Sequence, residues 1–277
     1  MSTFEQEIAG GSRFGFGRNW ADYVPLIDEA RIEQAVDSIK SYLGVATLEG
    51  KRLLDIGSGS GVFSLAAARL GATVLSFDFD PNSVSCAREV KRRFLPDCAR
   101  WTIHEGSVLD RTWLESLGTF DVVYSWGVLH HTGEMWSAVE NASRCVAPGG
   151  FLFIAIYNDQ GAPSRRWLAM KQAYNRLPPS LRFLVLGPAT VRLWGPTVAK
   201  DLLHGRPFHS LRTLNRERGM TPWVGVVDWV GGLPFEVAKP EEILDFLRPR
   251  RFVLEKLRTC AGGLGCNEFV FRLEAAG

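Results

Sequence analysis

The residues best suited to do chemistry are the run Leu53-Leu54-Asp55-Ile56-Gly57-Ser58-Gly59-Ser60-Gly61. An apolar strand that ends in an acid and a glycine-rich turn makes a floor on which bare backbone meets a nucleotide-like cofactor. The spacing narrows the choice. A dinucleotide fingerprint is GxGxxG, whose third glycine admits close helix packing; here the glycines stand at 57, 59 and 61 and Val62 follows, which argues against NAD. No GxxxxGK[ST] lysine is present to meet a triphosphate, which excludes a P-loop. A second acid, Asp78, closes the next apolar run, Thr73-Val74-Leu75-Ser76-Phe77. A carboxylate there accepts both hydroxyls of a ribose, and Phe79 is next in line to pack on a purine face.

These residues need elements to hold them. Residues 28–44 carry Ile32, Ala35, Val36, Ile39 and Leu43 at the helical period, a face that covers one side of a core. Residues 51–56 read as the first strand, 61–70 as a helix stopped by Gly71, and 73–78 as the second strand. The next helix takes Asp80 as N-cap and Pro81 in its first turn, shows Val84, Ala87, Val90 and Phe94 on one face, and stops before Pro96. Residues 101–105, 120–125 and 151–157 supply strands three to five, with a helix over 134–146. Repeated βα units imply an α/β fold, a parallel sheet covered on both faces. Between residues 158 and 238 the pattern breaks into several short helical stretches interrupted by prolines, read as an insertion. Order resumes with a helix over 240–247 and strands over 251–258 and 267–273.

At this point the chain resembles the class I S-adenosylmethionine-dependent methyltransferases. The glycine loop looks like that family's first motif and Asp78 like its acid at the end of strand two. Glu105-Gly106-Ser107-Val108-Leu109-Asp110 looks like the adenine-contacting segment, Phe120-Asp121-Val122-Val123-Tyr124-Ser125-Trp126 like the fourth strand, and Ala147-Pro148-Gly149-Gly150-Phe151 like the turn into the fifth. The resemblance covers about residues 46–157, and the tail from Pro240 also fits. It implies a doubly wound, seven-stranded, mostly parallel sheet of Rossmann-like methyltransferase type, with an antiparallel strand from the terminal hairpin and a helical insertion. It also implies S-adenosylmethionine as cofactor. Residues 46–157 and 239–277 form the expected core, residues 1–45 an arm and helix over the site, and residues 158–238 a helical substrate cap.

By that resemblance Asp55, Gly57, Ser58, Gly59 and Gly61 line the methionine and ribose end of the cofactor, Asp78 and Phe79 its nucleoside, and Ser107 and Val108 its base. Ser125 and Trp126 lie beside the sulfonium. His130 and His131 follow, facing the acceptor. Transfer is an in-line displacement in which the nucleophile sheds a proton, and an imidazole titrates near neutrality. Either histidine is a candidate base, with His131 preferred, and either is equally suited to packing or to capping the helix near Glu134. Holding the reactants in line without a base is the other route to rate. Tyr157 and Asn158, after strand five, are expected in the same cavity, with Asp228, Trp229 and Glu236 if their segment folds back. Phe14, Phe16 and Trp20 stand among glycines and form either an aromatic lid, suited to cation–π contact with a sulfonium, or ordinary arm packing.

Composition sets bounds. With 277 residues, 46% hydrophobic and 22% charged, at net charge +2, the chain suits a soluble domain with an insertion and shows no disorder signal. Acids near the start and no signal-like apolar run predict a cytoplasmic protein. The longest apolar stretch, near residues 183–188, falls far short of the ~20 residues that span a bilayer. Five cysteines, an odd number, read as reduced thiols, and Cys260 and Cys266 flank a hairpin turn without metal-ligand spacing. No metal site is expected.

Residues 158–222 hold eleven basic side chains against three acids, an excess of +8, which leaves −6 for the rest of the net +2. Interleaved Trp167, Leu168, Leu181, Phe183, Leu184, Leu186 and Trp194 make a surface both cationic and apolar, suited to a lipid-like acceptor or to peripheral contact with the inner face of an anionic membrane; a solvated cap whose apolar residues pack inward is the equal alternative. Nucleic acid is disfavoured. Residues 125–128 are not the Asn/Asp-Pro-Pro-aromatic run that meets an exocyclic amine, and no RNA-binding module accompanies the domain. The expected activity is methyl transfer to a small or lipophilic acceptor, with oxygen the preferred atom. An RNA-modifying methyltransferase and a regulatory domain that binds the cofactor without turnover are the alternatives.

Overall fold

The computed structural model describes residues 3–207, 209–210 and 222–275. Its centre is a seven-stranded sheet of β1 (Arg52–Ile56), β2 (Thr73–Asp78), β3 (Trp101–Glu105), β4 (Phe120–Trp126), β5 (Val146–Tyr157), β6 (Phe252–Arg258) and β7 (Cys266–Leu273). The spatial order is β3-β2-β1-β4-β5-β7-β6. The first five strands are parallel, and β7 pairs antiparallel with both β5 and β6. The order reverses between β1 and β4, so a crevice opens at the carboxyl ends of these two strands, where ligands of open α/β sheets bind. The expected mostly parallel sheet with a terminal antiparallel strand is the one observed. Strand β5 starts five residues earlier than expected because Val146 pairs with Phe120 across a bulge.

Helices α1 (Thr3–Ala9), α2 (Gly17–Tyr23) and α3 (Glu29–Leu43) precede the sheet. Asp28 caps α3 by accepting the Arg31 N–H, and Gly44 ends it in the left-handed region. Its apolar stripe buries Ile32, Ala35, Ile39 and Leu43 against α4 (Val62–Arg69). Helix α5 (Pro81–Phe94) starts at the Asp80 cap, as its sequence predicts. On the other face α6 (Arg111–Ser116), α7 (Met135–Arg144) and α11 (Pro240–Leu247) cover a second cluster around Leu54, Ile56 and Phe120. The central strands are apolar on both faces because helices lie on both.

Between β5 and α11 lie α8 (Ala162–Arg176), α9 (Phe183–Leu203) and α10 (Pro222–Gly231). The expectation of several short helices is corrected at α9, which runs for 21 residues through Pro188 and Pro196. Both prolines are exposed. The carbonyls they leave unpaired belong to Leu184 and Arg192, also exposed, where water can take the place of the bond. These helices have their own apolar cluster of Trp167, Tyr174, Leu186, Ala189, Val226 and Val230. The cationic-surface reading is thus only partly right: Trp167, Leu186 and the base Lys171 are buried, whereas Leu181, Phe183 and Leu184 stay exposed. Arg212, Arg216, Glu217 and Arg218 lie outside the described residues. No described helix is long and apolar enough to cross a membrane.

Candidate functional site

Beyond β1 the chain turns through Gly57, Gly59 and Gly61, each at positive φ. Two of them illustrate why side chains are excluded. A Cβ on Gly57 would sit 2.4 Å from Val128, and one on Gly59 would sit 2.9 Å from the Trp20 ring. The loop is therefore squeezed between the β4 loop and the amino-terminal arm while keeping its backbone bare. The Gly59 N–H donates to Oδ2 of Asp78 at 2.9 Å, and the Asp80 N–H donates to Oδ1 at 2.9 Å. Both carboxylate oxygens are thereby aimed, and each keeps a lone pair. Burial raises the Asp78 pKa to about 6, against the opposing pull of the Asp80 and Gly59 N–H groups.

Around this floor is a cavity of about 160 Å³. Gly57, Gly59, Asp78 and Phe79 line its base; Ser107, Val108, Trp126 and His131 continue the wall; Phe4, Phe14, Phe16 and Trp20 close it from the arm. Phe14, Phe16 and Trp20, the aromatics singled out in the sequence, are among the residues that line the cavity. Phe16 packs 4.8 Å from the His131 ring and 5.0 Å from Phe14, and Phe4 meets Phe79 edge-on at 5.7 Å. Polar ties lock the arm down. Gly17 N–H donates to Asp80 Oδ2 at 2.8 Å, Asn19 donates to Asp228, and the Arg13 guanidinium donates to the His131 carbonyl at 2.9 Å while lying 5.0 Å over Phe79.

The other expected site residues lie behind this wall. Asp55 is buried beneath the loop and accepts from Ser64, with burial lifting its pKa to about 7. It is not among the residues that line the cavity: like Leu53, two positions before it, it faces the side of β1 covered by α4, where Ser64 lies. Ser125 Oγ donates to the Ile56 carbonyl at 3.1 Å and ties β4 to β1. Ser58 Oγ is buried without a partner, and Gly61 packs on Ala87 of α5. Asn158 bonds Gly263 and Asn267. Glu236 accepts the Gly133 and Met135 N–H groups and caps α7. The cysteines are free, and no metal-binding cluster occurs among the described residues.

The two histidines separate clearly. The Nδ1 of His131 lies 2.6 Å from the Pro234 carbonyl. A carbonyl only accepts, so Nδ1 carries the proton and Nε2 keeps its lone pair. Burial, then the Lys171 ammonium, depress its pKa to about 3, so the ring is neutral. His130 is wholly buried, receives the Tyr157 N–H at 3.3 Å and packs tilted against the Tyr157 ring at 3.9 Å. Its pKa is also driven down by burial. Neither His130 nor Tyr157 lines the cavity; both form the layer behind His131. Two contributors escape sequence reasoning. Arg13 gives no periodic signal, and Lys171 sits in a basic stretch that looks solvated. In the fold Lys171 is fully buried, donates to the Trp229 carbonyl near the end of α10 and lies 4.7 and 4.6 Å over the Trp229 and Phe235 rings.

A family model described as a methyltransferase domain matches residues 27–220. The chain belongs to that family. By family and fold it is a class I S-adenosylmethionine-dependent methyltransferase. The ubiquinone biosynthesis O-methyltransferase of Paracidovorax citrulli is 33% identical over 116 residues, which is 42% of this chain and 47% of the relative. The enzyme of that name from Escherichia coli is 31% identical over 123 residues, 44% of this chain and 48% of the relative. The match thus spans about half the length of these curated relatives. Among solved structures, a magnesium protoporphyrin IX methyltransferase from Synechocystis PCC 6803 with bound SAH is 16% identical, covers 86% of this chain and 82% of that chain, and gives a TM-score of 0.51. An O-methyltransferase family protein from Burkholderia thailandensis is 17% identical, covers 90% and 60%, and gives 0.51. At these identities the two structures share the methyltransferase's fold.

Proposed function

We propose that this methyltransferase passes the methyl group of S-adenosylmethionine to an oxygen of a small or lipophilic acceptor, with His131 as the proton acceptor. One observation carries the reading: a single cavity joins a paired-lone-pair carboxylate on a bare glycine turn to a neutral imidazole with its Nε2 lone pair free. The residues fit the cofactor. A Cβ would fill the cradle at Gly57 and Gly59, the Asp78 oxygens suit ribose hydroxyls, and Phe79, Val108 and Leu109 give an apolar slot for the base. When bound, the cofactor supplies an electrophilic methyl group on a sulfonium.

The chain's own groups do the remainder. Phe16 and Trp20 exclude water and offer ring faces to a cation. A histidine held neutral does not repel the incoming sulfonium. Its low basicity suits the reaction because an oxygen that has gained a methyl group is a far stronger acid than imidazolium, so the proton passes downhill to Nε2 late in attack. The Pro234 carbonyl fixes the tautomer and steadies the imidazolium that forms. His130 and Tyr157 act as packing that orients His131. The oxygen preference draws support from the relatives named as O-methyltransferases; the lipophilic preference draws it from the aromatic walls and the exposed apolar residues of α9, which also suit approach to an anionic bilayer. Calorimetric titration with S-adenosylmethionine, followed by transfer of labelled methyl to a panel of phenols, carboxylates and amines, tests the reading. Saturable one-to-one binding and label on oxygen support it; label confined to nitrogen or to RNA, or binding without any turnover, contradicts it.

A further inference from the structure

Helix α9 has an outer face that a water-exposed helix does not need. Leu184, Val191 and Leu202 are 55%, 71% and 57% exposed. They are spaced by seven and eleven residues, two and three helical turns, so they form one stripe. Leu203 beside them is 87% exposed, while the opposite side of the helix buries Leu186 and Ala189. Of its exposed charges, Arg192 flanks this stripe and Lys200 lies nearer the opposite side of the helix. Arg192, Lys200 and Arg206 are exposed. The only acid within α9, Asp201, is buried and accepts both the backbone N–H and the hydroxyl of Ser210. At the carboxyl end of the helix, Lys200, His204 and Arg206 line an open cleft of about 580 Å³ together with Asp201.

We propose that α9 docks the enzyme on an anionic lipid bilayer, lying in the interface with its leucine stripe among the acyl chains and its basic residues on the headgroup phosphates. Exposed apolar side chains combined with an excess of positive charge fit such a surface. A polar nucleic acid leaves the leucines without a partner, and a second copy of the helix brings like charges together. At about 1.5 Å per residue, α9 extends roughly 31 Å along the surface, and its charges and two prolines suit lying on a membrane, not spanning one. The inference builds on the lipophilic-acceptor reading, since docking there would bring the enzyme to such acceptors, but its test needs no acceptor.

The experiment is co-sedimentation of the full chain with vesicles of phosphatidylcholine alone or of equimolar phosphatidylglycerol and phosphatidylcholine, at low and high salt. Binding to the anionic vesicles only, weakened by salt, is expected. Leu202→Glu with Leu203→Glu, and separately Arg192→Glu with Lys200→Glu, should each lower the partition about tenfold or more. Both variants should keep wild-type circular dichroism and S-adenosylmethionine affinity, which separates failure of docking from failure of the methyltransferase reading. Equal binding to neutral vesicles, no binding, or variants that partition like the wild type overturns the proposal. Loss of self-association or of tRNA binding in the variants, without vesicle binding by the wild type, overturns it as well.

Discussion

Asp78 makes cofactor affinity depend on pH in a direction that follows from its surroundings. Its pKa in the folded, ligand-free protein is raised to about 6 from 3.8, mainly by burial. The sign follows. A raised carboxyl pKa means that the ligand-free fold is penalised by ionised Asp78 above pH about 6, a penalty relieved as the pH falls from 6 toward 4. Ribose hydroxyls donate to the ionised form, so binding works against the proton and affinity drops when Asp78 is protonated. With a pKa near 6 the ionised fraction is roughly nine-tenths at pH 7 and one-tenth at pH 5, so the association constant for S-adenosylmethionine falls about tenfold over that interval. Replacing the carboxylate removes two charge-assisted hydrogen bonds, about 1.5–3 kcal/mol each, so Asp78→Ala should weaken binding by roughly two to four orders of magnitude. Isothermal titration from pH 5 to 8 measures both. Asp55 and Asp228, with pKa values near 7, titrate in the same range, and Asp78→Asn separates them, since only the Asp78 inflection disappears in that variant. A flat affinity between pH 5 and 7, or an alanine variant within threefold of wild type, refutes the assignment.

Three further outcomes follow from the geometry. His131→Ala should lower kcat about a hundredfold or more while S-adenosylmethionine affinity stays within threefold, and with a pKa near 3 the imidazole should add no inflection to the kcat profile between pH 5 and 7; an inflection at the ordinary imidazole pKa that vanishes in the variant would contradict this. Gly59→Ala places a Cβ 2.9 Å from Trp20 at a φ of 53°, so chemical denaturation should show a loss of about 1 kcal/mol or more together with weaker cofactor binding, and an unchanged midpoint and affinity would count against the lid contact. Lys171 is fully buried with its pKa lowered from 10.5 to about 7, so the cost of its buried charge is complete below pH 7 and eases as the pH rises; urea melts should show stability climbing from pH 7 to 9, and Lys171→Met should abolish that climb.

How much of this was legible in the sequence depends on whether a residue's role is local. Asp28, Asp80 and Gly44 act on backbone within a few residues, and their caps occur where the sequence puts them. The parallel strands were legible because buried strands are apolar runs, except the start of β5, which extends back to Val146 through a bulge opposite Phe120. Asp78 and the glycine turn were legible because a motif is a local geometry. The residues set back from the cavity share another cause. Asp55, Ser125 and Tyr157 sit beside cavity residues in sequence, yet strand alternation and the packing of α10 turn them behind the wall. Lys171 reads as one more surface base until α10 folds over it, and Arg13 meets the His131 carbonyl across 118 residues of sequence. The proline-rich stretch misled because α9 continues through Pro188 and Pro196, which lie on its exposed side where water can reach the freed carbonyls.

The central claim is that the glycine turn and Asp78 hold the adenosyl end of the cofactor while its sulfur faces His131. A crystal structure of the protein with S-adenosylhomocysteine tests it directly. The account predicts both ribose hydroxyls on the Asp78 carboxylate, the base between Phe79 and Val108, and the sulfur on the side of the cavity that His131 lines. A nucleoside bound away from Asp78, or a sulfur turned away from His131 with the imidazole screened from it, would contradict it.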